Sequence, residues 1–288
     1  MAFMRIDLHA HSTASDGTDS PAELIHAAAE AGLDVVAITD HDTTSGWKDA
    51  VAALPSGLAL VRGMEVSCLG HGEDGYPVSV HLLAYLFDPL HEAFAAERQR
   101  LQQSRRTRIH AMAERMRADG IGIDPDQILA DAGNVVGRPH LARALVDLGV
   151  VDTVSEAFTH HLSPRGPYYV RMADAWLDDA AAMVRAAGGV AVIAHARARA
   201  RGRLLDLDHV RSLAQSGAIA GLETAHPDHT ETDRRLLTKL ADDYNLFTTG
   251  SSDYHGANKT VSLGANTTAV EDFHRLTSLA TGVPVVQR

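Results

Sequence analysis

Ile6-Asp7-Leu8-His9-Ala10-His11-Ser12-Thr13-Ala14-Ser15-Asp16-Gly17 is the stretch on which the reading of this chain turns. Ile6 to His9 has the character of a short buried strand. Side chains alternate along a strand, so His9 and His11 point the same way. Two imidazoles converging at a strand end can hold a divalent metal ion. Asp16 follows in a polar, glycine-containing loop that can bring a carboxylate over them. Taken alone, an H-x-H pair reads equally well as two turn histidines. The same event recurs at the end of nearly every apolar run downstream.

Asp34–Ile38 is a β-branched run that ends at Thr39-Asp40-His41, and Leu58–Val61 leads to Glu65. Ser79–Phe87 alternates around His81, Val190–Ile193 ends at His195, and Ile219–Leu222 ends at Glu223. Leu246–Thr249 runs into Gly250-Ser251-Ser252-Asp253-Tyr254-His255. Between the first two runs lies a helix with Ser20 as N-cap, Pro21 at its first position, Glu23 completing a capping box and Gly32 past its end. Alternating strands and helices predict an α/β fold, a mainly parallel sheet or a (β/α) barrel of seven strands, with the active site at their C-terminal ends.

Composition bounds the function. Of 288 residues, 45% are hydrophobic and 22% charged, as in a soluble enzyme. The single cysteine excludes intrachain disulfides and disfavours thiolate metal sites. A formal charge of −11 disfavours wrapping a long nucleic acid but not a small anionic substrate. No signal peptide or membrane-length apolar run is present, so a cytoplasmic protein without membrane contact is expected, and nothing points to an obligate protein partner.

The strand pattern breaks once, between 88 and 171, where only helical patterning is found. A long helix from about Pro89 to Asp119 is ended by Gly120, and shorter ones are predicted near Pro125–Ala132, Pro139–Leu148 and Thr153–His160. The expected organisation is a barrel of 1–87 and 172–288, with 88–171 a helical insertion capping its mouth.

Nine side chains at strand ends are candidate metal ligands: His9, His11, Asp16, His41, Glu65, His81, His195, Asp253 and His255. Histidine and carboxylate without cysteine fit Mn²⁺, Zn²⁺ or Fe²⁺, and nine donors are too many for one ion. Two or three ions sharing a carboxylate is the natural count. The motifs D-L-H-A-H-S-T-A-S-D-G, I-T-D-H-D, G-M-E-V-S, A-H and G-S-S-D-Y-H-G resemble, in order, those of the PHP (polymerase and histidinol phosphatase) metallophosphoesterases. That resemblance implies a distorted seven-stranded (β/α) barrel with up to three ions, Mn²⁺ foremost. It puts His9, His11, Glu65 and Asp253 on the first ion. Glu65, His81 and His195 take the second, and Asp16, His41 and His255 the third. The chain departs from the family at Ala196 and Ala225, neither a ligand.

A multi-metal cluster supplies a bridging hydroxide near neutral pH and clamps phosphoryl oxygens, so no serine or cysteine nucleophile is needed. Asp40, beside His41, is expected to orient an imidazole or the water, and His226 is a candidate acid for the leaving group. For substrate contacts the reading turns to the insertion. Between Arg98 and Arg117 there are seven arginines and one acid, Glu114, and Arg105 and Arg108 fall on or beside the apolar stripe of Leu101, Ile109, Met112 and Met116. An inward arginine needs an anion. Arg138 opens a helix at Pro139, a second anion site. Ser104, Arg105, Arg108, Asn134, Arg138 and His140 are therefore the expected substrate contacts. A second anion site implies a substrate with two phosphoryl groups. The resemblance is greatest to the 3′,5′-nucleotide bisphosphate phosphatase and short-RNA 5′ exonuclease branch. Alternatives are a 5′–3′ exonuclease on short RNA, a histidinol-phosphate phosphatase, and a non-catalytic PHP module. An exonuclease needs aromatic stacking platforms, which the insertion supplies thinly.

Overall fold

The computed structural model describes residues 4–132, 135–164, 166–199 and 202–288. The barrel half opens with β1 (Ile6–Asp7), α1 (Pro21–Glu30), β2 (Val35–Ile38), α2 (Trp47–Ala53), β3 (Ala59–His71) and β4 (Pro77–Tyr85). A helical layer follows: α3 (Glu92–Ala118), α4 (Pro125–Asp131), α5 (Arg138–Asp147), α6 (Val154–Ala157) and a π-helical turn, Phe158–Leu162. The chain returns through β5 (Ala175–Trp176), α7 (Leu177–Ala186), β6 (Val190–Ile193), α8 (Leu207–Gln215), β7 (Gly221–Ala225), α9 (Glu231–Asp243), β8 (Phe247–Gly250) and α10 (Val270–Leu279).

Seven strands run in the order β1-β2-β3-β4-β6-β7-β8. A parallel bridge between Ala10 and Tyr254 nearly closes the ring just beyond β1 and β8, with His11 N donating to Tyr254 O at 2.8 Å. The barrel is not wholly parallel. β4 is antiparallel to both β3 and β6. Only the turn between His71 and Pro77 joins β3 to β4, far too short for a crossover helix. An eighth strand, β5, lies off the ring and pairs with β3.

Both faces of the strands are buried, which is why they read as continuous apolar runs. Val35, Ala37, Val61, Leu83 and Val192 fill the barrel interior. Val36, Ile38, Leu60, Leu82 and Ile193 pack outward against α1 and α9 through Leu24, Ile25 and Leu237. Tyr85 is fully buried in the interior, its hydroxyl donating to Leu8 O at 2.8 Å, so burial leaves no orphaned polar group there. The helical layer has its own apolar cluster, including Ile109, Met112, Met116, Leu141 and Leu162. Among the described residues no helix is long and apolar enough to cross a membrane.

Candidate metal centre

Strand ends bring the nine predicted ligands to one end of the barrel, eight buried and His81 partly so. Glu65 stands at the centre, its two oxygens facing opposite ways. Oε1 lies 2.6 Å from His81 Nδ1 and 2.8 Å from His195 Nε2. Oε2 lies 3.1 Å from His9 Nε2, 3.0 Å from His11 Nε2 and 3.3 Å from His41 Nδ1. Asp253 Oδ1 closes the His9–His11 side at 3.4 Å from each imidazole. On the far side of His11, Asp16 Oδ2 is 3.7 Å from His41 Nε2 and Oδ1 is 3.4 Å from His255 Nε2.

Three donor groups result, in each of which the ligand atoms lie within 4.8 Å: His9, His11, Glu65 and Asp253; His11, Asp16, His41 and His255; and His41, Glu65 and His81. The first is the set expected for one ion. The second adds His11 to the expected three. In the third His41 is grouped with Glu65 and His81, while His195 meets the same Glu65 oxygen as His81. The donor sets fit divalent ions. His11 Nδ1 and His41 Nδ1 are buried and face carboxylate oxygens, Asp16 Oδ1 at 3.7 Å and Glu65 Oε2 at 3.3 Å, without a well-formed hydrogen bond, which is costly unless something coordinates them. Burial alone would drive the carboxylates to protonate. Instead His81, His41 and His9 outweigh it and hold Glu65 well below its usual range, while Lys259, His9 and His255 do the same for Asp253. Burial likewise opposes a charge on His9, but Glu65, Glu223 and Asp253 prevail and raise its pKa.

Supporting residues fix the ligands' orientation. Glu223 is fully buried, its Oε1 3.0 Å from His9 Nδ1 and its Oε2 accepting from His195 N at 2.8 Å. A carboxylate can only accept, so His9 carries a proton on Nδ1, and in the neutral ring Nε2 is the atom left to act as a ligand. Asp7, also fully buried, accepts from Ser252 N at 3.0 Å and Gly264 N at 2.8 Å, holding the loop that carries Asp253. His195 and Asp253 have left-handed φ angles of 28° and 51°, so some backbone strain is held at the site. Lys259 Nζ lies 2.6 Å from Asp253 Oδ2. Glu223 could have been found as one more acid ending an apolar run. Nothing in the sequence marks Lys259.

The two side chains expected to be catalytic have definite partners in the structure. Among the described residues Asp40 bonds to no imidazole; it accepts from Ser12 N, Ser12 Oγ and Ser15 Oγ at 2.8, 2.7 and 2.6 Å, tying down the loop between His11 and Asp16. His226 Nδ1 accepts from Asp228 N at 3.0 Å, so its proton sits on Nε2, 3.2 Å from Asp253 Oδ2. It is as buried as the ligands, at 1% exposure, and its Nε2 faces Asp253.

The arginine-rich helix also differs from expectation. Buried Arg105 finds its anion within the protein, with Nε 2.5 Å from Asp42 Oδ2 and Nη2 donating to Ser67 Oγ at 2.7 Å. Its neighbours on α3 zip down the segment leading to β5. Arg100 donates to Ala173 O, Ser104 accepts from Ala173 N, Arg108 donates to Val170 O and Arg115 to Tyr169 O, at 2.7, 3.0, 2.8 and 2.8 Å. Positions 100, 104, 108 and 115 share a helix face, and their partner is a row of backbone polar groups rather than a ligand. Arg138 donates to Leu162 O at 3.1 Å, with its guanidinium over Phe158. His140 Nδ1 accepts from Gly137 N at 3.1 Å, capping α5. Asn134 lies outside the described residues.

Comparison with known proteins places this geometry. Residues 7–216 match the PHP domain. The chain is 34% identical over 253 residues to a 3′,5′-nucleoside bisphosphate phosphatase of Chromobacterium violaceum, covering 87% of each. It is 33% identical to a 5′-3′ exoribonuclease of Haemophilus influenzae, over 93% of this chain and 96% of that one. A solved structure from Bifidobacterium adolescentis, assigned to the metal-dependent phosphoesterases, superposes with a TM-score of 0.88 at 34% identity, covering 96% and 97% of the two chains. The chain belongs to the PHP-domain family and is a hydrolase of its metal-dependent phosphoesterase class.

Proposed function

We propose that the chain hydrolyses a phosphomonoester of a small nucleotide, with a nucleoside 3′,5′-bisphosphate such as adenosine 3′,5′-bisphosphate giving the nucleoside 5′-monophosphate and phosphate. The nine strand-end residues would hold two to three divalent ions. Mn²⁺ suits the mixed imidazole and carboxylate donors. Bound there, the ions supply Lewis-acid activation of water and neutralise charge on the phosphoryl group.

The observation that carries the substrate reading is the setting of the α5 N-terminus. A side chain at Gly137, its N-cap, would come within 3.6 Å of Arg105 Nη1. His140, in its first turn, is close enough to feel the charges of both Asp16 and Arg105. The positive end of the α5 dipole and a cation therefore sit together beside the Asp16 donor group, a setting for a second, non-reacting phosphate. In this arrangement Arg105 serves through its Nη1 edge while Asp42 holds Nε and Ser67 holds Nη2. The relative from Chromobacterium violaceum, named for that activity, supports the same substrate.

The test is phosphate release, with Mn²⁺ present, from adenosine 3′,5′-bisphosphate, AMP, histidinol phosphate and short 5′-phosphorylated RNA. The bisphosphate should be turned over fastest, with a kcat/KM at least about 10-fold above AMP, the value of one charge-assisted phosphate contact. Equal rates on bisphosphate and monophosphate would overturn the two-phosphate reading.

A further inference from the structure

The two oxygens of Asp253 keep different company. Oδ1 faces His9 and His11 at 3.4 Å each, within the first donor group. Oδ2 accepts from His226 Nε2 at 3.2 Å and from Lys259 Nζ at 2.6 Å. Lys259 comes from the loop after β8, and that loop is pinned to the segment carrying Asp16. Asn258 Nδ2 donates to Asp16 O at 2.7 Å, and Ala257 N to Thr18 Oγ1 at 2.8 Å. The ammonium is thereby held where its charge reaches two donor groups. Against the opposing effect of burial, Lys259 is the foremost charge keeping the Asp253 pKa down. Burial first, then His11 and Lys259, also lower the pKa of His255. The Lys259 side chain is 33% exposed, whereas His81, the most open of the nine candidate ligands, is 22% and Asp253 2%. Its ammonium has three donors, and among the described residues it meets two acceptors, Asp253 Oδ2 and, at 3.3 Å, Asp253 O. One N–H is left for an incoming group.

A cation on a metal ligand works against the ion that the ligand is suited to hold, because it draws charge from the carboxylate and repels the ion. Glu223, the partner of His9, has the opposite sign and strengthens its ligand. Support of Asp253 alone therefore does not account for a lysine there. The opposition is relieved once a dianionic phosphoryl group lies beside it. We propose that Lys259 is a phosphoryl-binding residue, held by Asp253 so that its ammonium donates to a non-bridging oxygen of the phosphoryl group under attack. A compact ammonium with rotatable donors suits such an oxygen. In hydrolysis the water oxygen bonds to phosphorus and the bond to the leaving oxygen breaks. Lys259 transfers no proton in that step and offsets charge on the non-bridging oxygens. The proposal rests on the phosphoesterase class of the chain, and not on a second phosphate held at α5.

Lys259→Met removes the charge and keeps an unbranched side chain. Inorganic phosphate is the probe, titrated calorimetrically into Mn²⁺-loaded and into metal-stripped protein. The difference reads the Mn²⁺-dependent phosphate site apart from any anion site at α5. In Lys259→Met, phosphate affinity at that site should fall about 10-fold or more, the worth of one charge-assisted contact. Mn²⁺ affinity, read with a chelating indicator, should be unchanged or tighter. Lys259→Arg keeps the charge and should recover part of the phosphate affinity. Weaker Mn²⁺ binding in Lys259→Met would make Lys259 a support of Asp253, and unchanged phosphate affinity would leave it no phosphoryl contact. Either result overturns the proposal. Neither readout requires turnover, so a bisphosphate hydrolysed no faster than AMP would overturn the two-phosphate reading and leave this one standing.

Discussion

His9 Nδ1 and Glu223 Oε1 lie 3.0 Å apart, and neither side chain has any exposure. Glu223 also holds His195 through its backbone and accepts from Ser251 Oγ, so one carboxylate orients His9 and His195, which face the two oxygens of Glu65, at once. Such outer partners fix the tautomer and raise ligand basicity. Glu223→Gln should leave the fold intact yet weaken metal binding about 10- to 100-fold, measured by competition with a chelating indicator.

Glu65 presents Oε1 to His81 and His195 and Oε2 to His9, His11 and His41. A carboxylate facing both ways is the natural bridge between two ions. In Glu65→Gln the amide nitrogen is a poor ligand, so at least one equivalent of metal should be lost by elemental analysis. Phosphate release should fall by about 100-fold or more, the several kcal/mol that such ions contribute. Metal stoichiometry equal to that of the unaltered protein would exclude the bridge.

Much of this centre was legible because each donor follows an apolar run, a linear signal. The π-helical turn and the antiparallel β3–β4 hairpin were less so, since both depend on pairing beyond the local pattern. What the arginines of α3 meet was not legible, for a physical reason. The helical period shows that Arg105 points inward, but not what awaits it, and Asp42 lies sixty-three residues earlier in sequence. Asp40 was likewise judged by its neighbour His41, whereas its partners, Ser12 and Ser15, come from the loop after β1.

The Arg105–Asp42 pair leads to a stability prediction. Asp42 is fully buried and keeps bonds from Ser67 N and Oγ at 2.8 Å each, but without Arg105 its charge is uncompensated. Removing one partner of a buried pair typically costs about 3–5 kcal/mol. Arg105→Ala should lower Tm by several degrees, and adding Asp42→Asn should restore part of the loss. Full additivity of the two substitutions would show that the pair is not coupled.

The last prediction concerns acid stability of the helical layer. Burial first, then the nearby Arg143, lower the pKa of His140 from 6.5 to about 4. A group that stays neutral in the folded chain but takes a proton when unfolded makes unfolding more favourable as pH falls. Its contribution is complete above the unfolded pKa of 6.5. It is lost progressively down to about pH 4, below which both states are protonated. The stake is of the order of 2–3 kcal/mol across that window. His140→Gln keeps an acceptor for Gly137 N but cannot titrate. Urea unfolding at pH 4.5 and pH 7.5 should therefore show a smaller pH dependence in His140→Gln than in the unaltered chain. The other buried histidines contribute equally to both proteins and cancel in the difference. An identical pH dependence would mean that His140 titrates normally in the folded state and that the α5 N-terminus is more open to water than the structure places it.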